Sequence, residues 1–116
     1  LQCIVNRKQT LAMTYENISP SEAKSRMDAD PEAVIVDVRR PDEFVTGHIP
    51  GALNVPLADI QDGNIPPCLA DKNAVYLIYC RSGVRSVTAA VALEKMGYTH
   101  LANFGGILDW PYEIEH

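Results

Sequence analysis

Ala74-Val75-Tyr76-Leu77-Ile78-Tyr79, followed at once by Cys80-Arg81-Ser82-Gly83-Val84-Arg85-Ser86, reads as an apolar strand that delivers a cysteine into a short glycine-containing turn opening a helix. A strand so uniformly apolar is buried on both faces, the habit of a parallel sheet covered by helices. Amides at a helix N-terminus lack intrahelical partners and sit at the positive end of the helix dipole. A sulfur placed there gains hydrogen bonds and a favourable field, conditions that lower a thiol pKa. Arg81 and Arg85 add two permanent cations, and Gly83 lets the backbone curl with its N–H groups facing inward as an anion-binding nest. The expected product is a Cys80 thiolate that attracts an anionic substrate. A plainer reading takes Gly and Ser as turn geometry and Cys80 as a small buried hydrophobe. The coincidence of strand end, Cys, Gly, two Arg and helix start favours a nucleophile with oxyanion donors.

Working outward, Ser19-Pro20-Ser21-Glu22 predicts a helix start, with Ser19 as N-cap, Pro20 in the first turn and Glu22 closing a capping box; the helix runs to about Met27 or Asp28. Ala33 to Val38 is apolar except for Asp37 and reads as a second buried strand. Pro41 opens a short helix through Phe44, Gly47-His48-Ile49-Pro50-Gly51 is a turn, Ala52 to Val55 a short strand, and Leu57 to Ile60 one helical turn. From Ser86 the apolar positions Val87, Ala90, Val91 and Leu93 fit an amphipathic helix that ends at Gly97. Tyr98 to Phe104 is a last strand, followed by Gly105-Gly106 and a short helix, Ile107 to Trp110, halted by Pro111. Strands alternating with helices predict an α/β fold whose ligands bind at the carboxyl ends of a mostly parallel sheet, where Cys80 falls.

The bulk numbers agree. At 116 residues the chain fits one domain, read as residues 14–116 preceded by an N-terminal arm, 1–13, with no assigned role. A formal net charge of −5 argues against nucleic acid, which needs a basic face, and no apolar run approaches a membrane span. The arginines beside Cys80 are thus a positive island on an acidic chain, better matched to a small anion. Cys3, Cys68 and Cys80 make an odd set with neither C-x-x-C nor histidines at metal spacing, so no disulfide framework or zinc site is expected. A Cys68–Cys80 bridge stays open, and Cys68 reads as incidental. The expected setting is the cytoplasm, with an exported form whose signal peptide has been removed as the alternative.

Asp37-Val38-Arg39, Glu43-Phe44, Gly47-His48-Ile49-Pro50-Gly51-Ala52, Asn54-Val55-Pro56, the Cys80 to Ser86 loop and Gly105-Gly106-Ile107-x-x-Trp110 together resemble the single-domain rhodaneses, over about Tyr15 to Pro111. The resemblance implies a three-layer fold with a mostly parallel five-stranded sheet and helices on both faces. It implies a sulfurtransferase in which Cys80 takes the outer sulfur of thiosulfate or another persulfide donor and passes it to cyanide or a thiol. It implies that backbone amides from Arg81, Ser82, Gly83, Val84, Arg85 and Ser86 cradle the persulfide, while Arg81 or Arg85 holds the sulfonate. No metal or organic cofactor is implied, and a partner protein is an alternative sulfur acceptor.

The remaining motif residues, Asp37, Arg39, Glu43, His48, Gly51 and Trp110, read as structural: an internal ion pair or hydrogen-bond network at Asp37 and Arg39 that pins neighbouring loops, a backbone hydrogen-bonder at His48 and a core plug at Trp110. Phosphatases and arsenate reductases of the same fold resemble Cys-x5-Arg, one residue longer than Cys80-x4-Arg85. That residue adds up to roughly 3.5 Å of contour, so the shorter loop favours sulfur over phosphate. A non-catalytic binding module is the third reading, disfavoured because Cys80 is present.

Overall fold

The computed structural model describes residues 15–116; the expected arm at 1–13, with Cys3, lies outside them. Five strands form one sheet, all neighbours parallel: β1 (Tyr15–Asn17), β2 (Val34–Asp37), β3 (Leu53–Asn54), β4 (Val75–Cys80) and β5 (His100–Gly106), in the order β1-β5-β4-β2-β3. The connections carry α1 (Pro20–Ala29), α2 (Pro41–Phe44), α3 (Leu57–Gln61), α4 (Val84–Lys95) and two 3₁₀ turns, Pro67–Leu69 and Ile107–Asp109. Among the described residues no helix is long and apolar enough to cross a membrane.

β4 shows why its sequence is apolar throughout. Tyr76, Ile78 and Cys80 face one core, with Ile60 of α3 and Ala89, Ala90 and Leu93 of α4. Leu77 and Tyr79 face the other, with Ala23 of α1, Phe104 and Trp110. Alternate residues of a strand point to opposite faces, so a strand covered on both sides carries no polar stripe. The helices therefore lie on both faces of the sheet.

Several boundaries differ from the sequence reading, each for a local reason. α4 begins at Val84, two residues early, because Gly83 at φ 103° turns the chain and serves as its N-cap. Ser19 caps α1 by accepting the Glu22 N–H at 3.1 Å, but the Glu22 carboxylate turns to Arg26 (2.8 Å) and does not close the box. β5 continues through Gly105-Gly106 because Ile78 pairs with Asn103 whereas Cys80 pairs with Gly106. One strand advances by two residues and the other by three, a bulge that Gly105 absorbs at φ 96°. β1 was not foreseen: its three residues Tyr15, Glu16 and Asn17 carry no apolar run, and only pairing with β5 makes them a strand.

Candidate active site

Cys80 is the last residue of β4, and the parallel sheet brings the ends of β2, β3 and β5 to the same edge. The residue is 1 % exposed. Its sulfur is nonetheless hydrogen-bonded on both sides: the Gly83 N–H donates to Sγ at 3.0 Å, and the thiol donates to Ser86 Oγ at 3.5 Å. Burial pushes the thiol pKa up, while the Ser86 hydroxyl and the amides of Ser86, Gly83 and Ser82 pull it down and prevail, leaving it below the ordinary value. The amides of the turn converge on the sulfur.

The turn keeps this shape because β5 presses against it. A Cβ on Gly106 would fall 2.0 Å from the Arg81 carbonyl oxygen and 2.6 Å from Ser82 Cα, so only glycine admits the loop backbone there. The Leu108 N–H then donates to the same Arg81 carbonyl at 3.2 Å.

The two arginines part company. Arg85 forms a bidentate pair with Glu43 (2.6 and 3.0 Å), joining α4 to α2, and the Arg85 guanidinium beside Glu43 holds that carboxyl down at about 2. The Arg40 N–H also donates to Glu43, at 3.0 Å, fixing it from its own turn. Arg81 is exposed and makes no ion pair or hydrogen bond among the described residues through its guanidinium. Of the two cations, Arg81 is thus the one whose charge is not already matched. Ser82 and Val84 are exposed, Gly83 is half-buried and Ser86 is buried.

Asp37 and Arg39 are a buried ion pair (2.8 Å), and Arg39 reaches on to the Gly47 carbonyl at 2.8 Å. His48 stacks on Phe44 with ring centroids 3.9 Å apart, and its Nδ1 lies 3.1 Å from the Phe44 carbonyl. Gly51 supplies φ 84° in the following turn. Trp110 fills the core on the α1 face, its indole N–H donating to the Glu113 carbonyl at 3.1 Å. None of these residues hydrogen-bonds the Cys80 sulfur. Cys68 is exposed and unpaired, so no bridge joins it to Cys80. Among the described residues no cluster of three or more His, Cys, Asp or Glu is placed to hold a metal ion.

Sequence reasoning missed Asn103. It stands on the α4 face of β5 and binds Ser86 at 2.6 Å. A lone amide within Leu101-Ala102-Asn103-Phe104 was the available signal, since a polar side chain in a buried strand needs a partner.

Comparison with known proteins agrees with this geometry. The model of the rhodanese-like domain family matches residues 19–112. The thiosulfate sulfurtransferase PspE of Escherichia coli (strain K12) is 39% identical over 74 residues, which span 64% of this chain and 70% of that protein. A sulfurtransferase of Allochromatium vinosum is 43% identical over 94 residues, 78% of this chain and 83% of that one. Among solved structures, a rhodanese-like domain protein from Staphylococcus aureus is 33% identical, covers 86% of this chain and 96% of its own, and superposes with a TM-score of 0.73. With a family match along most of its length and the same fold in its relatives, the chain belongs to the rhodanese-like domain family.

Proposed function

We propose that the protein is a sulfurtransferase that carries sulfane sulfur on Cys80, from thiosulfate or a comparable persulfide donor to a thiol or cyanide. The observation that carries this reading is the Gly83 amide aimed at the Cys80 sulfur at 3.0 Å, with the Ser82 and Ser86 amides of the same turn joining it in lowering the thiol pKa. Family membership and the names of the relatives support it.

In the first half-reaction the Cys80 thiolate attacks the outer sulfur of thiosulfate. A new S–S bond forms, the donor's S–S bond breaks, and sulfite leaves with the bonding pair. Cys80 is left as a persulfide whose terminal sulfur carries the negative charge. In the second, an acceptor thiolate or cyanide attacks that terminal sulfur and restores the Cys80 thiolate. Both steps move negative charge within the amide ring, where fixed dipoles stabilise it without rearrangement. Arg81 meets the departing sulfite, being the exposed cation beside the turn with no partner of its own among the described residues. The near-complete burial of Cys80 and the short loop favour delivery of a single added atom over a tetrahedral phosphate.

Incubation with thiosulfate followed by intact-mass measurement tests the reading: wild type gains one sulfur, about 32 Da, and Cys80→Ser gains none, as nucleophilic catalysis requires. An unmodified wild type with thiosulfate, cysteine persulfide and mercaptopyruvate alike overturns it.

A further inference from the structure

Behind Cys80 runs a chain of side-chain hydrogen bonds in which the direction of each can be read. Asn103 Oδ1 accepts the Gly105 backbone N–H at 3.1 Å. A backbone amide only donates, so the atom it meets is the carbonyl oxygen and the assignment of that amide group is fixed. Asn103 Nδ2 accordingly donates to Asn17 Oδ1 at 3.0 Å, across the β1–β5 pairing. Ser86 Oγ lies 2.6 Å from Asn103 Oδ1. A carbonyl oxygen carries no proton, so Ser86 donates its only one to Asn103. The Gly105 carbonyl, 3.4 Å from Ser86 Oγ, is a second acceptor and not a donor.

The consequence falls on the sulfur. With its proton held by Asn103, the Ser86 oxygen presents lone pairs to Cys80 Sγ at 3.5 Å. It can accept from a thiol in that pose, but it can serve a thiolate or persulfide only by turning its hydroxyl away from Asn103. We propose that Asn103 is a positioning residue that sets the direction of the Ser86 hydroxyl, and so decides whether the sulfur of Cys80 gives a hydrogen bond to Ser86 or receives one from it. In the resting thiol the hydroxyl lies on Asn103; when charge develops on sulfur it turns, and Asn103 keeps the Gly105 and Asn17 contacts that hold its own orientation. Asn103 thereby competes with the sulfur for one proton and tunes how readily the thiolate forms.

The inference rests on Cys80 being the reactive sulfur, and its test needs no turnover. Other charges around the sulfur are the exposed Arg81, next to Cys80 in the turn, and Arg85 on α4, with Glu43 of α2 and Asp37 of β2 facing that guanidinium; the β5 residues beside it, Asn103 to Gly106, bring no titratable group. The Cys80 thiol is titrated by ultraviolet thiolate absorbance, with Cys80→Ser as the blank that removes the other cysteines. Ser86→Ala raises the midpoint by about one unit, a tenfold loss of thiolate. Asn103→Leu, which frees the hydroxyl for sulfur, lowers it by roughly half a unit, a downward shift that a merely structural role would not give, whereas Asn103→Asp, whose carboxylate repels the thiolate and holds the hydroxyl harder, raises it. In the Ser86→Ala background the Asn103→Leu shift disappears, as a coupled pair requires. Shifts of the same sign in both Asn103 variants, or a Leu shift that survives without Ser86, overturn the proposal. If Asn103→Leu does not fold, Asn103→Asp alone decides: its upward shift at least halves without Ser86, and an undiminished shift overturns the proposal. If the titrations couple as stated while thiosulfate leaves no sulfur on Cys80, the sulfurtransferase reading falls and the role of Asn103 stands.

Discussion

Arg81 and Arg85 carry the same charge in the same turn, but only one of them is compensated, and this sets different consequences for removing each. Arg85 is tied to Glu43 by two bonds of 2.6 and 3.0 Å, with Glu43 15% exposed in its side chain. Arg85→Ala strips that carboxylate of its bidentate partner, leaving it the Arg40 N–H, and lowers stability by about 1.5–3 kcal/mol, the range for hydrogen bonds to charged groups. Arg81→Ala removes no hydrogen bond or ion pair among the described residues, so the melting temperature holds, while under the proposed function KM for thiosulfate rises about tenfold, equivalent to ~1.4 kcal/mol of lost anion binding. Urea melts and steady-state kinetics on both variants check this; equal KM effects with unchanged stability would refute the division. The same pair predicts a pH dependence. Glu43 sits at about 2, below its ordinary 4.5, so its ionised form is favoured by folding. Its contribution is complete above the unfolded value and is lost as pH falls through the folded one. The stability gap between wild type and Glu43→Gln therefore narrows steadily from about pH 5 to pH 2.

At the level of elements, the Cys80 turn is shaped as much by β5 as by its own residues. Gly106→Ala places a methyl 2.0 Å from the Arg81 oxygen and 2.4 Å from its carbonyl carbon, both backbone atoms that have no rotamer to yield. The loop has to move, at a cost on the order of 3 kcal/mol, and the amides lose their aim at sulfur, so the Cys80 midpoint rises with the loss of stability. Gly63→Ala is the control: φ is 78° but nothing lies within 4 Å of the new methyl, so it costs about 1–2 kcal/mol of backbone strain and leaves the Cys80 titration untouched. Circular-dichroism melts with thiol titration separate the two; a Gly106→Ala chain with a normal Cys80 midpoint would show that β5 does not shape the turn. The contrast also explains what was legible in the sequence. β4, the turn and α4 announce themselves because an apolar run, a cysteine and a positive-φ glycine are all adjacent. Gly105-Gly106 reads as a turn but is strand, since a bulge and a close approach use glycine as freely as a turn does. Asn103 and Ser86 lie 17 residues apart, and Glu43 and Arg85 lie 42 apart; nothing local in either stretch names its partner. β1 exists only as an edge that β5 and the Arg26–Glu16 pair hold in place.

Across the whole molecule, the carboxyl edge of the sheet is held by charge buried between the two cores. Asp37 is 0% and Arg39 4% exposed. Around them the Asn54 amide donates to the Asp37 and Arg39 carbonyls, Ile49 N–H donates to Tyr79 Oη at 3.0 Å, and the Gly47 carbonyl accepts from Arg39. His48 and Glu115 exchange two backbone hydrogen bonds of 2.8 Å, which fasten the last residues of the chain to the same turn. The ion pair therefore ties β2 to the α2–β3 connection, which β4 and the C-terminal residues fasten in turn. Arg39→Met strands a carboxylate with no solvent to take its charge, and the penalty is about 3–5 kcal/mol, a large part of the total stability of a chain this size. Adding Asp37→Asn removes the stranded charge, and because breaking a buried pair costs more than replacing it, the double variant regains about 1 kcal/mol or more over Arg39→Met alone. Denaturant melts of the two variants and wild type decide the matter. An Arg39→Met cost below about 1 kcal/mol, or a double variant no more stable than the single, would mean that neutral hydrogen bonds rather than the charge pair hold this edge together.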